Sequence, residues 1–216
     1  MIFANRQQAG EILAKRLSKL KLGRKKTIVA AIPRGGVIVG EVISRKLRIT
    51  LAVIVIKKLG APDNSELAIG ATASSGKPVL DRWLIADLKV SKDYLKKEII
   101  KKRKEAASRE RLLNIELSPS KFKGKVVIVV DDGLATGQTA KAAARIIQAF
   151  KPLRLILGVA CASPSVIALM KEDYDEVICP EISSDFWAVG QFYRDFRPVT
   201  DQEVREILTE QLTINH

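Results

Sequence analysis

The sequence predicts an α/β fold built on a parallel sheet with helices packed against its faces. Three observations carry that reading. Four short runs, Thr27 to Ile32, Ile49 to Ile56, Val126 to Val130 and Arg154 to Cys161, are largely apolar and rich in β-branched residues. Such runs suit strands covered on both faces. Segments with the apolar spacing of helices alternate with them. Pro33-Arg34-Gly35-Gly36 and Asp131 to Gly137 are turns that leave a strand's C-terminal end and enter a helix. Open α/β sheets hold their ligands at such places.

The elements follow in order. Asn5 caps a first helix, with Ala9, Ile12, Leu13, Leu17 and Leu20 on one face and Gly23 ending it. After the Thr27 to Ile32 strand and its turn, Val37 to Leu47 forms a helix and Ile49 to Ile56 a strand. Lys57 to Ser65 reads as a mobile loop, and Leu67 to Thr72 pairs with Pro78 to Leu80 around a Ser-Ser-Gly turn. Ser91 to about Ile115 is a long charged helix with a thin stripe of Leu95, Ile99, Ala106 and Leu113. Val126 to Val130 then leads through its turn to a helix over Thr139 to Phe150. The strand Arg154 to Cys161, the helix Ser163 to Lys171 and the short strand Glu176 to Cys179 come next. From Pro180 the pattern turns aromatic, and Asp201 to Leu212 is a terminal helix.

Composition narrows the function classes. A formal charge of +13 over 216 residues favours polyanionic ligands. No apolar run approaches the roughly 20 residues that span a bilayer. Met1 to Asn5 leads straight into a polar amphipathic segment, which reads as no signal peptide. Cys161 and Cys179 stand apart in apolar surroundings and read as buried thiols of a reducing, cytoplasmic compartment. The single histidine is His216, which excludes histidine-based catalysis and a histidine-rich metal site.

The chemistry concentrates in Val126 to Ala140. Asp131 and Asp132 end an apolar strand, and Gly133 to Gly137 runs into a helix start. That helix start offers unpaired N–H groups and the positive end of a dipole, both suited to a phosphate. Thr136 and Thr139 add hydroxyl donors, and Gly137 admits close approach of the backbone. The carboxylates suit a sugar diol or a hydrated divalent cation. A ligand with a 5-phosphate and a ribose satisfies both halves. Arg34 with Gly35 and Gly36 makes a second anion site, a guanidinium fork beside a permissive backbone.

Strand, two acids and the loop Leu134-Ala135-Thr136-Gly137-Gln138-Thr139 together resemble the phosphoribosyl-diphosphate (PRPP) motif of the type I phosphoribosyltransferases. Arg34-Gly35-Gly36-Val37-x-x-Gly40 resembles the pyrophosphate loop of the same family, in the wording of its xanthine-guanine members. The resemblance covers roughly residues 27–179 and implies the parallel-sheet type I phosphoribosyltransferase fold with flanking helices. It implies a core over residues 1–180, carrying an inserted loop and charged helix at about 57–120, and a C-terminal hood over 181–216 that holds a base. The implied activity is transfer of the 5-phosphoribosyl group of PRPP to a nucleobase or similar planar heterocycle, with release of pyrophosphate, as in nucleotide salvage. Asp131, Asp132 and Arg34 would be catalytic, with Mg2+ on the two acids. Ala135, Thr136, Gly137, Gln138 and Thr139 would hold the 5-phosphate, and Arg34, Gly35 and Gly36 the pyrophosphate. A homodimer is expected.

Other residues carry two readings each. Lys57 and Lys58 either reach the pyrophosphate or end a solvated loop, and Glu66 is either a base or a surface acid. Phe186 and Trp187 either stack on the base or pack in a core or interface. Residues 89–111 hold ten Lys/Arg against four Asp/Glu, spread around most of the helix, so the helix is expected to lie apart from the ligand. Nucleic-acid binding through this face is the less favoured reading, since aromatics for base stacking are not interleaved with it. It nonetheless supports an alternative function, a PRPP-sensing regulator of the same fold that binds RNA or DNA. For the acceptor, Ala135 stands where the 6-oxopurine enzymes carry an Asp, and Ser163 where the xanthine-guanine enzyme carries a Lys. Ala135 is similar to the adenine enzyme instead, which points to adenine or another planar heterocycle.

Overall fold

The structure is a computed structural model that describes residues 1–65 and 67–214, with side chains described as far as residue 210. Its elements are α1 (Arg6–Leu17), β1 (Thr27–Ala31), α2 (Gly35–Leu47), β2 (Thr50–Val53), β3 (Lys57–Gly60), β4 (Ala68–Thr72) and β5 (Val79–Leu80). Then come α3 (Arg82–Asp87), α4 (Lys92–Leu113), β6 (Val126–Asp131), α5 (Gln138–Gln148), β7 (Arg154–Val159) and β8 (Cys161–Ala162). The chain closes with α6 (Pro164–Met170), β9 (Glu176–Ile178), β10 (Glu181–Ile182) and α7 (Asp201–Ile214).

The main sheet has the order β2-β1-β6-β7-β9, and all its pairings are parallel. Its strands are apolar between their ends because alternate residues enter different cores. Ile28, Ala30, Val127, Val129, Leu155 and Leu157 pack with α5 and with the rings of Phe122 and Phe150. Val29, Ile128, Val130 and Ile156 face the other way, onto Leu13 and Leu17 of α1, Val39 and Ile43 of α2, and Phe3. Ligand chemistry is thus left to the strand ends.

A smaller antiparallel sheet, β3-β4-β5, sits beside the main one and packs with α3 and α4 around Leu59, Ala61 and Ile69. The mobile loop expected from Lys57 is therefore in part a strand, with Lys57 opposite Thr72 and Leu59 opposite Gly70. Only Leu59 and Gly60 of its four residues are buried, which leaves too little apolar alternation to announce it. Helix α3 was not expected either. Asp81 caps it by accepting from the Leu84 amide at 3.0 Å. The charged helix stands as expected, capped by Ser91 and closed by Asn114 at φ 54°, with Ala106 and Leu113 buried.

Beyond β10 the chain returns across the start of the molecule. The Phe3 amide donates to the Phe192 carbonyl, and the Arg194 amide to the Phe3 carbonyl, each at 2.8 Å. Helix α7 begins with a capping box: the Thr200 amide donates to Glu203 Oε2 at 2.8 Å, and the Glu203 amide to Thr200 Oγ1 at 3.1 Å.

Candidate active site

Strands β1 and β6 are neighbours, Ala31 beside Val130, so the turns leaving their C-terminal ends stand side by side. Asp131 ends β6 and Asp132 follows, its amide donating to Asp131 Oδ1 at 2.9 Å. Gly35, in the turn after β1, lies directly against Asp132. A Cβ on Gly35 would be 1.9 Å from Asp132 Oδ2, so only glycine permits this approach. The two anion sites read from the sequence are thus one continuous surface. Arg34, joined to Pro33 by a cis peptide, is exposed at its edge.

The loop after the acids is anchored on one side and open on the other. Leu134 is buried and its amide donates to the Cys161 carbonyl at 2.9 Å. Gly137 caps α5 at φ +71°, against Met170 and Val166, where a Cβ would lie 2.9 Å from both side chains. Ala135, Thr136, Gln138 and Thr139 are exposed at the helix start. Lys58 Nζ donates to Gln138 Oε1 at 3.3 Å, which brings the small sheet to this loop.

These geometries coincide with a family match. The phosphoribosyl transferase domain family matches residues 1–197. The chain belongs to that family. Two curated Mycobacterium tuberculosis proteins, provisionally named phosphoribosyl transferases, are 34% identical over 212 residues. Those alignments take in 94% of this chain and 45% of the relatives, so the chain spans about half their length. A crystal structure from Thermus thermophilus is 36% identical with a TM-score of 0.88, and the match covers 98% of this chain and 99% of that one. A hypothetical protein of Neisseria gonorrhoeae, crystallised with bound ppGpp, shares the fold at TM-score 0.51 and 14% identity, over 97% of this chain and 96% of that one. The phosphoribosyltransferase fold, parallel sheet and flanking helices included, is therefore the fold of this chain.

Within this phosphoribosyltransferase fold the two acids are unlike each other. Burial, and then the charge of Asp132 beside it, push the Asp131 carboxyl well above the usual range. Asp132 is held by a residue the sequence reading missed. Arg6 donates from Nε to Asp132 Oδ2 at 2.7 Å and from Nη1 to the Arg197 carbonyl at 2.9 Å. Tyr193 donates its hydroxyl to the Asp132 carbonyl at 2.6 Å, and burial pushes its phenol far up. The two carboxylates are too few for a closed metal cage, and no cluster of three or more metal-ligating side chains occurs among the described residues. They do fit Mg2+, which keeps several waters and takes further oxygens from a substrate's phosphates.

The charged helix is not apart from this surface. Glu105 of α4 faces Lys57 Nζ at 3.7 Å. Arg109 grips Asp201 at the start of α7, with Nη1 2.7 Å from Oδ2, and Asp201 in turn lies 3.8 Å from Arg34 Nη1. These contacts tie α4 to Lys57 through Glu105 and, through Arg109 and Asp201, to Arg34. Lys101 and Lys104 of the same helix point to solvent.

Phe186 is half-buried, its ring 5.1 Å from that of Phe192, while Trp187 is 86% exposed. Ser163 caps α6 by accepting from the Val166 amide at 3.3 Å. Glu66 and His216 lie outside the described residues. No described helix is long and apolar enough to cross a membrane.

Proposed function

We propose that this protein transfers the 5-phosphoribosyl group of PRPP to a nucleobase or similar planar heterocycle and releases pyrophosphate. The observation that carries the reading is the contact of Gly35 with the Asp132 carboxylate. It joins a loop suited to pyrophosphate to a loop suited to a 5-phosphate and a sugar diol. In this reading Ala135 to Thr139 receive the 5-phosphate on exposed amides and hydroxyls at the α5 start. Asp131 and Asp132 accept from the ribose hydroxyls and hold Mg2+ on PRPP. The metal would neutralise charge on the leaving pyrophosphate. Arg34, with the backbone of Gly35 and Gly36, draws off the same charge, with Lys57 and Lys58 arriving from β3. The carboxylates favour the positive charge that develops on the sugar as the bond at C1 breaks.

Residues 1–180 form the core in this proposal, and 181–216 the hood over the base. Trp187 is the stacking residue of the hood, because its indole is free of the core, whereas Phe186 packs on Phe192. We place the protein in cytoplasmic nucleotide salvage, as a homodimer. The test is pyrophosphate release from PRPP and Mg2+ on addition of each base in a panel. Release with at least one base is the expected result. PRPP binding without turnover of any base, together with salt-sensitive retention on nucleic acid, would favour the PRPP-sensing regulator, which the charge of +13 supports.

A further inference from the structure

Arg6 stands in the first turn of α1, far in sequence from any loop of the site. Its guanidinium is nonetheless held at the acids by three contacts from two segments. Nε donates to Asp132 Oδ2 at 2.7 Å, Nη1 donates to the Arg197 carbonyl at 2.9 Å, and Cζ lies 4.0 Å above the Phe196 ring. Both partners of the ion pair are largely buried, with side chains 10% and 13% exposed. Tyr193 fixes the Asp132 carbonyl and stacks on Phe196, ring centroids 5.0 Å apart. A buried guanidinium held at this many points keeps its geometry. One of the two adjacent carboxylates is therefore matched before any ligand arrives.

We propose that Arg6 is a positioning residue for Asp132. It fixes that carboxylate for the sugar diol and acts as its resident counter-ion, so a divalent cation joins the acidic pair only together with PRPP. Two adjacent acids without Arg6 would attract a cation by themselves, whereas Arg6 already matches the charge of Asp132. The inference rests on the PRPP site proposed above.

The test is calorimetry on the full chain with two titrants, PRPP with Mg2+, and Mn2+ alone. Arg6→Met is expected to weaken PRPP binding at least about tenfold and to create binding of Mn2+ that the wild type lacks. Arg6→Lys, which keeps the charge, is expected to recover part of the affinity and to suppress the Mn2+ binding. In an Asp132→Asn background, Arg6→Met is expected to change PRPP affinity less than about twofold, because the residue acts through Asp132. Unchanged PRPP affinity in Arg6→Met, or losses that simply add in the double variant, would overturn the proposal. If Arg6→Met does not fold, Arg6→Gln goes through the same cycle. Wild-type protein with no affinity for PRPP would overturn the proposed function itself, so the two failures are distinguishable.

Discussion

Lys58 donates from Nζ to Gln138 Oε1 across 3.3 Å, tying the first strand of the small sheet to the first residue of α5. The contact brings β3 to the turn between β6 and α5. Such an exposed hydrogen bond from an ammonium to a neutral amide contributes little to stability, about 1 kcal/mol or less. Lys58→Met is therefore expected to leave the Tm nearly unchanged and to lower PRPP affinity about tenfold. Equal affinities by calorimetry would remove Lys58 from the site.

The two acids are expected to act alike on binding and oppositely on stability. Each change to Asn should shrink the rise in Tm that PRPP with Mg2+ produces, and the double variant should abolish it. Asp131→Asn removes a charge disfavoured by burial and by Asp132, so the ligand-free Tm should hold or rise. Asp132→Asn strips Arg6 of its counter-ion and should cost about 3 kcal/mol, or roughly 6–12 °C in Tm. Melting curves of the three variants with and without ligand decide both points.

In the proposed reading, Asp201 would compete with pyrophosphate for Arg34. The pair is exposed and 3.8 Å long, a geometry worth about 0–1 kcal/mol. Asp201→Asn is expected to tighten inorganic pyrophosphate binding about two- to fivefold, with the side chain still able to accept from Arg109. Weaker binding would show instead that Asp201 orients Arg34 productively.

The α7 capping box gives an acid-dependent stability. Hydrogen bonds from Arg197 and from the Thr200 amide lower the Glu203 carboxyl from 4.5 to about 2. A depressed carboxyl stabilises the fold above its unfolded value, and that stability is lost as pH falls through the folded value. Glu203→Gln should therefore melt below the wild type at pH 6, with the difference closing by about pH 2. A difference that persists undiminished at pH 2 would rule out the charge as its source.

Acceptor choice follows from two side chains that lack the needed groups. The Ala135 methyl exchanges no proton, and the Ser163 hydroxyl is turned to the α6 cap. Guanine, xanthine and hypoxanthine are expected to be poor acceptors next to adenine at saturating PRPP, and Ala135→Asp alone should not rescue them. A 6-oxopurine turned over at an ordinary enzymatic rate, roughly 1–1000 per second, would reverse this reading.

The main sheet was legible in the sequence because strands such as Val126 to Val130 have both faces buried, which writes an unbroken apolar run. The turn from Asp131 to Gln138 between β6 and α5 was legible because its residue types are local and consecutive. β3 was not, since Lys57 and Lys58 occupy half-buried positions and the strand draws its order from β4 across it. Arg6 was hidden for a different reason. Its partners Asp132 and Arg197 lie 126 and 191 positions away, and no short-range pattern encodes a pairing at that distance. The spacing of Thr200 and Glu203 is a local capping signal and was open to reading.

The same separations order events in time. A chain made from its N-terminus releases β1 and β6, the adjacent pair that carries both loops, once Asp131 has emerged. Phe196 and Arg197, which hold Arg6 onto Asp132, follow some 65 residues later. At about 5–20 residues per second the interval is a matter of seconds, during which the central strands can pair while the acids lack their clamp. The β1–β6 pair can thus form before the segment that clamps Arg6 onto Asp132 has been made.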